Sequence, residues 1–194
     1  IGTIVQHKLG MHGCPAFSLE AACTSFIYAL ATADKFVRTG ESKCALVIGA
    51  EVFTKLLDWN DRTTCVLFGD GAGAVIIKSA DEPGIISCHL GADGKYKDLL
   101  YYPAGVSHDL HKAGVGDIGI RMSGNEVFKV AVKTLSNIAS EALAANNIDP
   151  SDIDWLIPHQ ANLRIIQATA KRLNLSMEKV IVTVKDHGNT SAAS

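Results

Sequence analysis

The chain has 194 residues, of which 47% are hydrophobic and 20% charged, and its formal net charge is −2. This composition is typical of a soluble globular protein, and no apolar run approaches the ~20 residues that a membrane span needs. The slightly acidic balance and the lack of a basic, aromatic-rich block argue against nucleic-acid binding. Five cysteines without a Cys-x-x-Cys pair indicate neither a disulfide framework nor a zinc site, so a cytoplasmic location fits best.

The first candidate functional residue is Cys23. Before it, Phe17 and Leu19 alternate with small or polar residues, which predicts a short strand. After it, residues 26–33 are apolar on nearly every side and predict a fully buried helix that ends near Gly40. Free N–H groups and the helix dipole shift a thiol at a helix start toward the thiolate, so Cys23 is a candidate nucleophile in a nucleophile elbow. Simple packing of a small, soft side chain is the alternative.

Two further polar residues follow short apolar segments in the same way. His159 comes after residues 155–158, where a proline stops a predicted strand, and is predicted to open a helix. Asn189 follows a predicted strand over residues 180–184. Because ligands gather at the carboxyl ends of strands in α/β folds, Cys23, His159 and Asn189 are predicted to form one site.

The rest of the pattern predicts strands that alternate with helices. The further predicted strands are 44–49, 75–77 and 85–90, and the further predicted helices are 123–146, opened by a Ser123-x-x-Glu126 capping box, and 161–173. The alternation predicts an α/β fold with a largely parallel sheet, in which strand 44–49 is covered on both faces. The turn at 81–84 is the candidate boundary between the segments 1–82 and 83–194.

Two other patterns suggest ligand sites only superficially. The glycine-rich run 68–73 precedes a strand rather than a helix, so we assign its glycines to backbone geometry and not to phosphate binding. His108 and His111 lie three residues apart without a third ligand nearby, so no metal site is predicted.

Five motifs occur in order along the chain: Glu20-Ala21-Ala22-Cys23, Phe68-Gly69-Asp70-Gly71-Ala72-Gly73, Gly124-Asn125-Glu126-Val127-Phe128, Pro158-His159-Gln160-Ala161-Asn162 and His187-Gly188-Asn189-Thr190-Ser191-Ala192-Ala193. With them the chain resembles the β-ketoacyl-acyl-carrier-protein synthase III family, condensing enzymes that start type II fatty-acid synthesis. The resemblance implies a thiolase-like fold, layered α/β/α/β/α, with two related halves. Residues 1–82 would be the later part of the first half, and residues 83–194 the earlier part of the second.

The resemblance also implies the reaction. Cys23 would take the acyl group from acyl-CoA. His159 and Asn189 would bind the thioester carbonyl of malonyl-acyl carrier protein, promote its decarboxylation and stabilise the enolate, which attacks the acyl-cysteine to give a 3-oxoacyl-carrier protein. N–H donors placed at such an oxyanion lower the barrier by ~2.7–4 kcal/mol each. The CoA thioester is then a substrate, and no cofactor is permanently bound.

Binding residues follow from the same motifs. Arg62 matches the arginine that holds the adenine end of CoA, and the matched pantetheine-binding residues are Asn125, Phe128, Ala161 and Asn162. The implied partners are acyl-CoA, an acyl carrier protein and a second copy of the chain in a homodimer.

An acidic carrier protein would dock on a basic face. Arg164, Lys171 and Arg172 are spaced i, i+7, i+8 on the predicted helix after His159 and therefore share one side of it. Lys129 and Lys133 share a face of the preceding long helix. An ordinary solvated helix surface is the alternative, above all for Lys133 and Arg172.

Three other functions compete with this one. A papain-type thiol hydrolase also has cysteine, histidine and asparagine in this order, but the local motif around its cysteine is absent. A sister condensing enzyme, such as a quinolone or polyketide starter synthase or a chalcone-synthase relative, would share the triad and use another acceptor. The third alternative is that the chain is a non-enzymatic protein of the same fold or an inactive fragment. The presence of all three polar residues argues against a non-enzymatic protein, but not against an inactive fragment.

The chain begins at Ile1 and stops at Ser194 within a predicted helix start, so we expect it to be cut at both ends. In the family, the missing parts carry further CoA-binding and dimer-gating residues and a glycine-rich oxyanion loop. We therefore expect residues 1–194 alone to be poorly soluble or inactive, because their apolar strands would lack cover. The preferred acyl-CoA is left open.

Overall fold

The computed structural model describes residues 1–82, 84–105 and 119–194. Its helices are α1 (Gly2–Lys8), α2 (Ser25–Arg38), α3 (Gly124–Ala145), α4 (Leu163–Arg172) and α5 (Val184–His187). Its strands are β1 (Cys44–Val52), β2 (Asp70–Lys78), β3 (Leu100–Tyr101) and β4 (Arg121–Met122). The proposed boundary residue at position 83 and the pair His108 and His111 lie outside the described residues.

The sheet pairing differs from the prediction. β1 and β2 pair antiparallel from Cys44–Lys78 to Val52–Asp70, and β3 pairs antiparallel with β4. Among the described residues, parallel pairing is confined to two isolated bridges, Phe68–Asn189 and Leu156–Val180. The expectation of a largely parallel sheet was therefore wrong for the described residues. Residues 53–69 form a short 3₁₀ turn and a loop, and not the crossover helix that a parallel pair requires. The chain therefore returns beside β1 in the opposite direction.

The β1–β2 hairpin is covered on one face and not on both. Val47 and Gly49 are buried toward α2 and the turn at residues 191–193, whereas Leu46 and Ile48 on the opposite face are exposed. Ile76, which pairs with Leu46, is 72% exposed. The described elements pack against the inner face alone, so the expectation that the apolar strands of residues 1–194 lack part of their cover holds for this hairpin.

Several predicted strands are extended segments without a strand partner. Residues 16–20 and 85–90 form no ladder with any other part of the chain that the structure describes, and Phe17 is 59% exposed. Residues 155–157 and 180–184 meet only through the Leu156–Val180 bridge, and Val184 already begins α5. A period of two describes an extended backbone, but a strand also needs a hydrogen-bonding neighbour, which local sequence does not specify.

The longer helices lie where the sequence predicted them, with different ends and burial. α2 ends at Arg38, and Gly40 has a φ of +77°, as expected for the residue that follows a helix. α2 is buried at Ala31 and Asp34 rather than all round. α3 begins after Ser123, but the Ser123 side chain does not cap it, and Glu126 pairs with Lys129 instead of completing a capping box.

Two small hydrophobic clusters support the segments that carry polar residues. In the first, the rings of Phe53 and Phe68 stack at 4.4 Å between centroids, beside Leu57 and Ile120. In the second, Ile166 and Ala170 of α4 pack on Val180. The first cluster fixes the loop before β2, and the second fixes α4 behind residues 156–162. Within the described residues, none of the helices is both long and apolar enough to cross a bilayer.

Candidate active site

Cys23 lies in a single turn of 3₁₀ helix, Ala22–Thr24, that leads directly into α2. Ala22 has a φ of +49°, a conformation that is strained for an alanine and that sharpens the entry into the helix. Ser25 Oγ closes the turn by accepting from the Ala21 N–H at 2.7 Å and donating to the Ala22 carbonyl at 2.7 Å. The predicted helix start at Cys23 is confirmed, whereas the predicted strand before it is absent.

His159 lies in an irregular loop that precedes α4. Its Nδ1 is 2.9 Å from the carbonyl oxygen of Ser194. Because a carbonyl only accepts, Nδ1 carries a proton and Nε2 is the nitrogen left for chemistry. The prediction that His159 opens a helix was wrong: α4 begins at Leu163, where the Asn162 side chain caps it by accepting from the Ile165 N–H at 2.9 Å.

The neighbouring Gln160 is 4% exposed and fixes this loop. Its Nε2 donates to the carbonyls of Pro158 and Ile181 at 2.9 and 3.1 Å. Its Oε1 accepts from the N–H groups of Thr183 and Val184 at 2.8 and 3.0 Å. The whole side-chain amide is therefore satisfied, and it ties the loop of His159 to residues 181–184.

Asn189 is held against the loop that precedes β2. Its N–H donates to the Leu67 carbonyl at 2.8 Å, and its carbonyl accepts from the Gly69 N–H at 2.9 Å. Its side-chain Oδ1 accepts from the Ser191 N–H at 2.9 Å, which fixes Nδ2 as the donor end of the amide.

Two glycines of the 68–73 run permit this close approach. A Cβ at Gly69 would lie 2.3 Å from the His187 carbonyl oxygen, and one at Gly71 would lie 3.0 Å from the Thr190 side chain. At Gly49 of β1, a Cβ would lie 2.0 Å from the Ala192 carbonyl oxygen. The assignment of the 68–73 glycines to backbone geometry is confirmed at Gly69 and Gly71.

The turn at residues 191–193 brings these groups to Cys23. The Ser191 hydroxyl donates to Cys23 Sγ at 3.5 Å. The imidazole of His159 lies near enough to the Cys23 thiol for the two groups to shift each other's pKa. With Ser191 also bonded to Asn189, the three predicted residues meet in one place. Ser191 joins them as a contact that the sequence did not predict.

The two titrating groups alter one another. Burial alone raises the pKa of the Cys23 thiol, but the hydrogen bond and charge of His159, aided by the Ser191 hydroxyl, bring that pKa below its ordinary value. Burial alone lowers the pKa of His159, but Cys23 and the Ser194 carbonyl bring it above its ordinary value. Both shifts favour a thiolate beside an imidazolium. The arrangement provides an activated sulfur nucleophile with N–H donors next to it.

Two family models match the chain, "3-Oxoacyl-[acyl-carrier-protein (ACP)] synthase III" over residues 17–94 and its C-terminal model over residues 143–194. A β-ketoacyl-[acyl-carrier-protein] synthase III of Thioalkalivibrio sulfidiphilus is 58% identical over 98% of the chain. The chain belongs to the 3-oxoacyl-[acyl-carrier-protein] synthase III family. It spans 59% of the length of that relative.

Solved structures show the thiolase-like fold of this family. The 3-oxoacyl-(acyl carrier protein) synthase III of Pseudomonas aeruginosa matches 98% of the chain at 40% identity with a TM-score of 0.92, and the chain covers 59% of it. The priming β-ketosynthase of the R1128 polyketide pathway matches 99% of the chain at 36% identity, also with a TM-score of 0.92, and the chain covers 58% of it. The predicted family and fold class are confirmed.

Only some of the residues that match CoA contacts of this family lie near the loop of His159. Phe128 of α3 lies under Arg164 of α4, whose guanidinium carbon is 5.4 Å from the ring centroid. Ala161 and Asn162 follow His159 directly, and the Asn162 side chain is occupied as a helix cap. Asn125 is exposed in the first turn of α3, and Arg62 is exposed beside Asp61. Their roles stay predictions.

The basic side chains predicted to dock the carrier protein are solvent-exposed. Arg164, Lys171 and Arg172 are exposed on α4, and Lys129 and Lys133 are exposed on α3. Lys129 is paired with Glu126 at 2.8 Å, which offsets part of its charge. Among the described residues, no group of three or more His, Cys, Asp or Glu side chains could hold a metal ion.

Sequence reasoning missed three functional contacts. Ser191 had no assigned role, although it lies in a run of small residues after Asn189 that marks a tightly packed turn. Gln160 and Ser194 gave no signal, because each acts on a partner far away in the sequence.

Proposed function

We propose that the protein transfers an acyl group from acyl-CoA to Cys23 and condenses it, with decarboxylation, with malonyl-acyl carrier protein. The product would be a 3-oxoacyl-carrier protein, the first condensation product of type II fatty-acid synthesis. The observation that carries the proposal is that Ser191 joins Cys23, at the start of α2, to Asn189, with the His159 imidazole near enough to lower the pKa of the thiol. Membership of the family supports the choice of substrates.

In the first half-reaction the Cys23 thiolate attacks the carbonyl carbon of the acyl-CoA thioester. A bond from carbon to Cys23 Sγ forms, the bond to the CoA sulfur breaks, and CoA leaves as the thiolate. Since the pKa of Cys23 lies below its ordinary value, the nucleophile is available near neutral pH.

In the second half-reaction the donors of His159 and Asn189 act on the malonyl thioester. Carbon dioxide leaves, and its bonding electrons form an enolate whose oxygen accepts from His159 Nε2 and Asn189 Nδ2. The enolate carbon then attacks the acyl carbonyl on Cys23, and the electron pair of the broken C–S bond returns to Sγ. Donors already fixed by the carbonyl of Ser194 and the N–H of Ser191 need no reorganisation as this charge develops.

The site of acylation tests the first step. The chain extended at both ends to the length of its relatives, called the extended protein below, is incubated with acetyl-CoA and mapped by mass spectrometry. We expect one acetyl group on Cys23 and none on the exposed Cys14 and Cys44. Acetylation that persists in the variant Cys23→Ala would contradict the proposal, and Cys44→Ala is the matched control.

Separate assays of the two half-reactions test the roles of the donors. In His159→Ala and Asn189→Ala, we expect malonyl decarboxylation to fall by about 10²–10³-fold, the effect of losing one oxyanion donor. Acylation of Cys23 should remain measurable, since the helix start still favours the thiolate. Equal losses in both half-reactions would contradict the division of roles.

We also propose that carrier protein docks on the face formed by Lys129, Arg164, Lys171 and Arg172, with CoA held by Arg62, Asn125, Phe128, Ala161 and Asn162. Arg164→Glu should raise KM for malonyl-carrier protein, most strongly at low salt, and leave KM for acyl-CoA nearly unchanged. Lys8→Glu on α1 is the matched charge-reversal control. A parallel rise in both KM values would contradict docking at Arg164.

A second function is favoured by one comparison, the equally high TM-score to the R1128 priming β-ketosynthase. In that case the same half-reactions would start a polyketide chain. Rates of the extended protein with a panel of acyl-CoA primers and acceptor carrier proteins distinguish the two functions. Preference for a polyketide carrier over a fatty-acid carrier would replace the first proposal.

Family membership further supports a homodimer that is located in the cytoplasm and holds no resident cofactor. It also supports a division of the chain into two parts, in which residues 1–82 belong to the first of two related halves and residues 83–194 to the second. Light scattering of the extended protein tests the dimer. A monodisperse monomer with full activity would contradict it.

A further inference from the structure

Ser191 is the most completely enclosed hydroxyl of the site. It is 2% exposed and begins the turn at residues 191–193 with a φ of +54°. A non-glycine residue keeps this backbone conformation only where its surroundings impose it. Here the carbonyl of Ala192 lies against Gly49 of β1, so the turn is pressed onto the inner face of the hairpin.

Two different groups of Ser191 contact two different members of the site. Its hydroxyl donates to Cys23 Sγ at 3.5 Å, and its N–H donates to Asn189 Oδ1 at 2.9 Å. The N–H contact survives any substitution except proline, whereas the hydroxyl contact requires serine or another hydroxyl. A purely structural serine would not need a hydroxyl aimed at the sulfur.

We propose that the Ser191 hydroxyl is a further catalytic residue, which stabilises negative charge on Cys23 Sγ both before acylation and when the sulfur departs during condensation. The catalytic role rests on the proposed function, while the contact itself does not. A neutral thiol is a weak acceptor and a thiolate a strong one, so the O–H···S hydrogen bond strengthens as the sulfur ionises. This bond lowers the pKa of Cys23 together with His159.

The same hydrogen bond acts on the leaving group. When the enolate carbon attacks the acyl carbonyl, the C–S bond to Cys23 breaks and its electron pair returns to Sγ, where the Ser191 O–H is already placed. A thiol of lower pKa leaves faster. The hydroxyl thus assists both the formation and the breakdown of the acyl-enzyme.

The test measures how fast Cys23 reacts with 4,4′-dithiodipyridine as a function of pH, with mass spectrometry to resolve the five cysteines. It compares the extended protein with Ser191→Ala and Ser191→Gly. Glycine removes the hydroxyl and also tolerates the positive φ, so it provides a folded variant if alanine does not. Ser136→Ala is the matched control, since the buried Ser136 hydroxyl donates to the Val132 carbonyl at 2.6 Å within α3.

Loss of the hydrogen bond to the charged sulfur raises the pKa of Cys23, so roughly tenfold less thiolate is present at acidic pH. The thiolate that remains is about threefold more nucleophilic, because nucleophilicity rises with the pKa of the thiol. We therefore expect Cys23 to react about threefold more slowly at acidic pH and about threefold faster at alkaline pH in both Ser191 variants. Ser136→Ala should follow the unmodified protein at every pH.

An unchanged pH profile in both Ser191 variants would overturn the proposal, and so would a uniform loss of rate at every pH or loss of the fold in both. The assay needs no acyl-CoA, so it is independent of the proposed function. A shifted profile in a protein that never acetylates Cys23 would support the contact and refute the proposed function.

Discussion

Cys23 and His159 shift each other's pKa, but they reach their positions by different means. The turn of Cys23 is closed by hydrogen bonds between residues at most four positions apart, such as those of Ser25 to Ala21 and Ala22. His159 is held by Ser194, 35 positions away, and by the bonds of Gln160 to residues 181–184. The nucleophile is therefore placed by local structure, and its partner by tertiary structure. Substitutions that remove tertiary contacts should leave the turn of Cys23 formed and detach His159 or Asn189 from it.

The largest effect is expected from Gln160→Ala, which leaves the N–H groups of Thr183 and Val184 and two carbonyls without their partner. Each buried unsatisfied group costs about 1–3 kcal/mol, and water can replace some of these bonds, so we expect the free energy of unfolding to fall by about 3–5 kcal/mol. Urea denaturation measures it. The exposed Gln167→Ala on α4 is the control, and an equal loss there would contradict a special role for Gln160.

Gly49→Ala tests the contact between β1 and the turn of Ser191. The new Cβ would lie 2.0 Å from the Ala192 carbonyl oxygen, so the turn must move away from β1, and the contact of Ser191 with Cys23 is disturbed. We expect a loss of about 3 kcal/mol in the free energy of unfolding and a higher pKa of Cys23. Gly73→Ala on the paired strand is the control, because its Cβ would meet the Ala193 carbonyl oxygen at an ordinary 3.7 Å. If both variants behave alike, the close approach at Gly49 is not important.

The pairing of Cys23 with His159 predicts reciprocal changes of pKa. In Cys23→Ala, burial remains while the thiolate is lost, so the pKa of His159 should fall below its ordinary value. In His159→Ala, the pKa of Cys23 should rise, and its reaction with alkylating reagents should begin at higher pH. NMR titration of the imidazole and the pH dependence of alkylation measure the two. An unshifted His159 in Cys23→Ala would refute the pairing, with Cys44→Ala as control.

The smallest effect is expected at Asn162, which has a structural and a proposed binding role. Asn162→Ala removes the cap of α4 and should cost ~1 kcal/mol in the free energy of unfolding. Asn162→Asp keeps the cap oxygen and should restore stability. If Asn162 also contacts pantetheine, both variants raise KM for acyl-CoA, whereas an unchanged KM in Asn162→Asp would limit this residue to capping.

The sequence predicted the features of the site that depend on neighbouring residues, and missed those that depend on residues far along the chain. The helix start at Cys23 follows from the apolar pattern of residues 26–33, which depends only on neighbours. The predicted strands at 16–20 and 85–90 failed because a ladder depends on a partner elsewhere in the chain. The structure brings Cys23, His159 and Asn189 together, as expected. Among the described residues, Asn189 alone of the three forms a bridge with a neighbouring extended segment, at Phe68. Of the partners that fix them, Ser191 is signalled only by the run of small residues after Asn189, and Ser194 carries no local signal.

The contact of Ser191 with Cys23 spans 168 positions of the chain, which has a consequence during protein synthesis. The ribosome releases Cys23 long before Ser191, and domains tend to fold from the N-terminus onward. Until the turn at residues 191–193 docks on β1, Cys23 lacks both Ser191 and His159, and only the helix start favours its thiolate. Its full reactivity is acquired when these distant residues come together, so a nascent chain does not expose a fully activated sulfur to oxidants or stray thioesters. A fully reactive Cys23 therefore reports that the turn at residues 191–193 has docked on the hairpin.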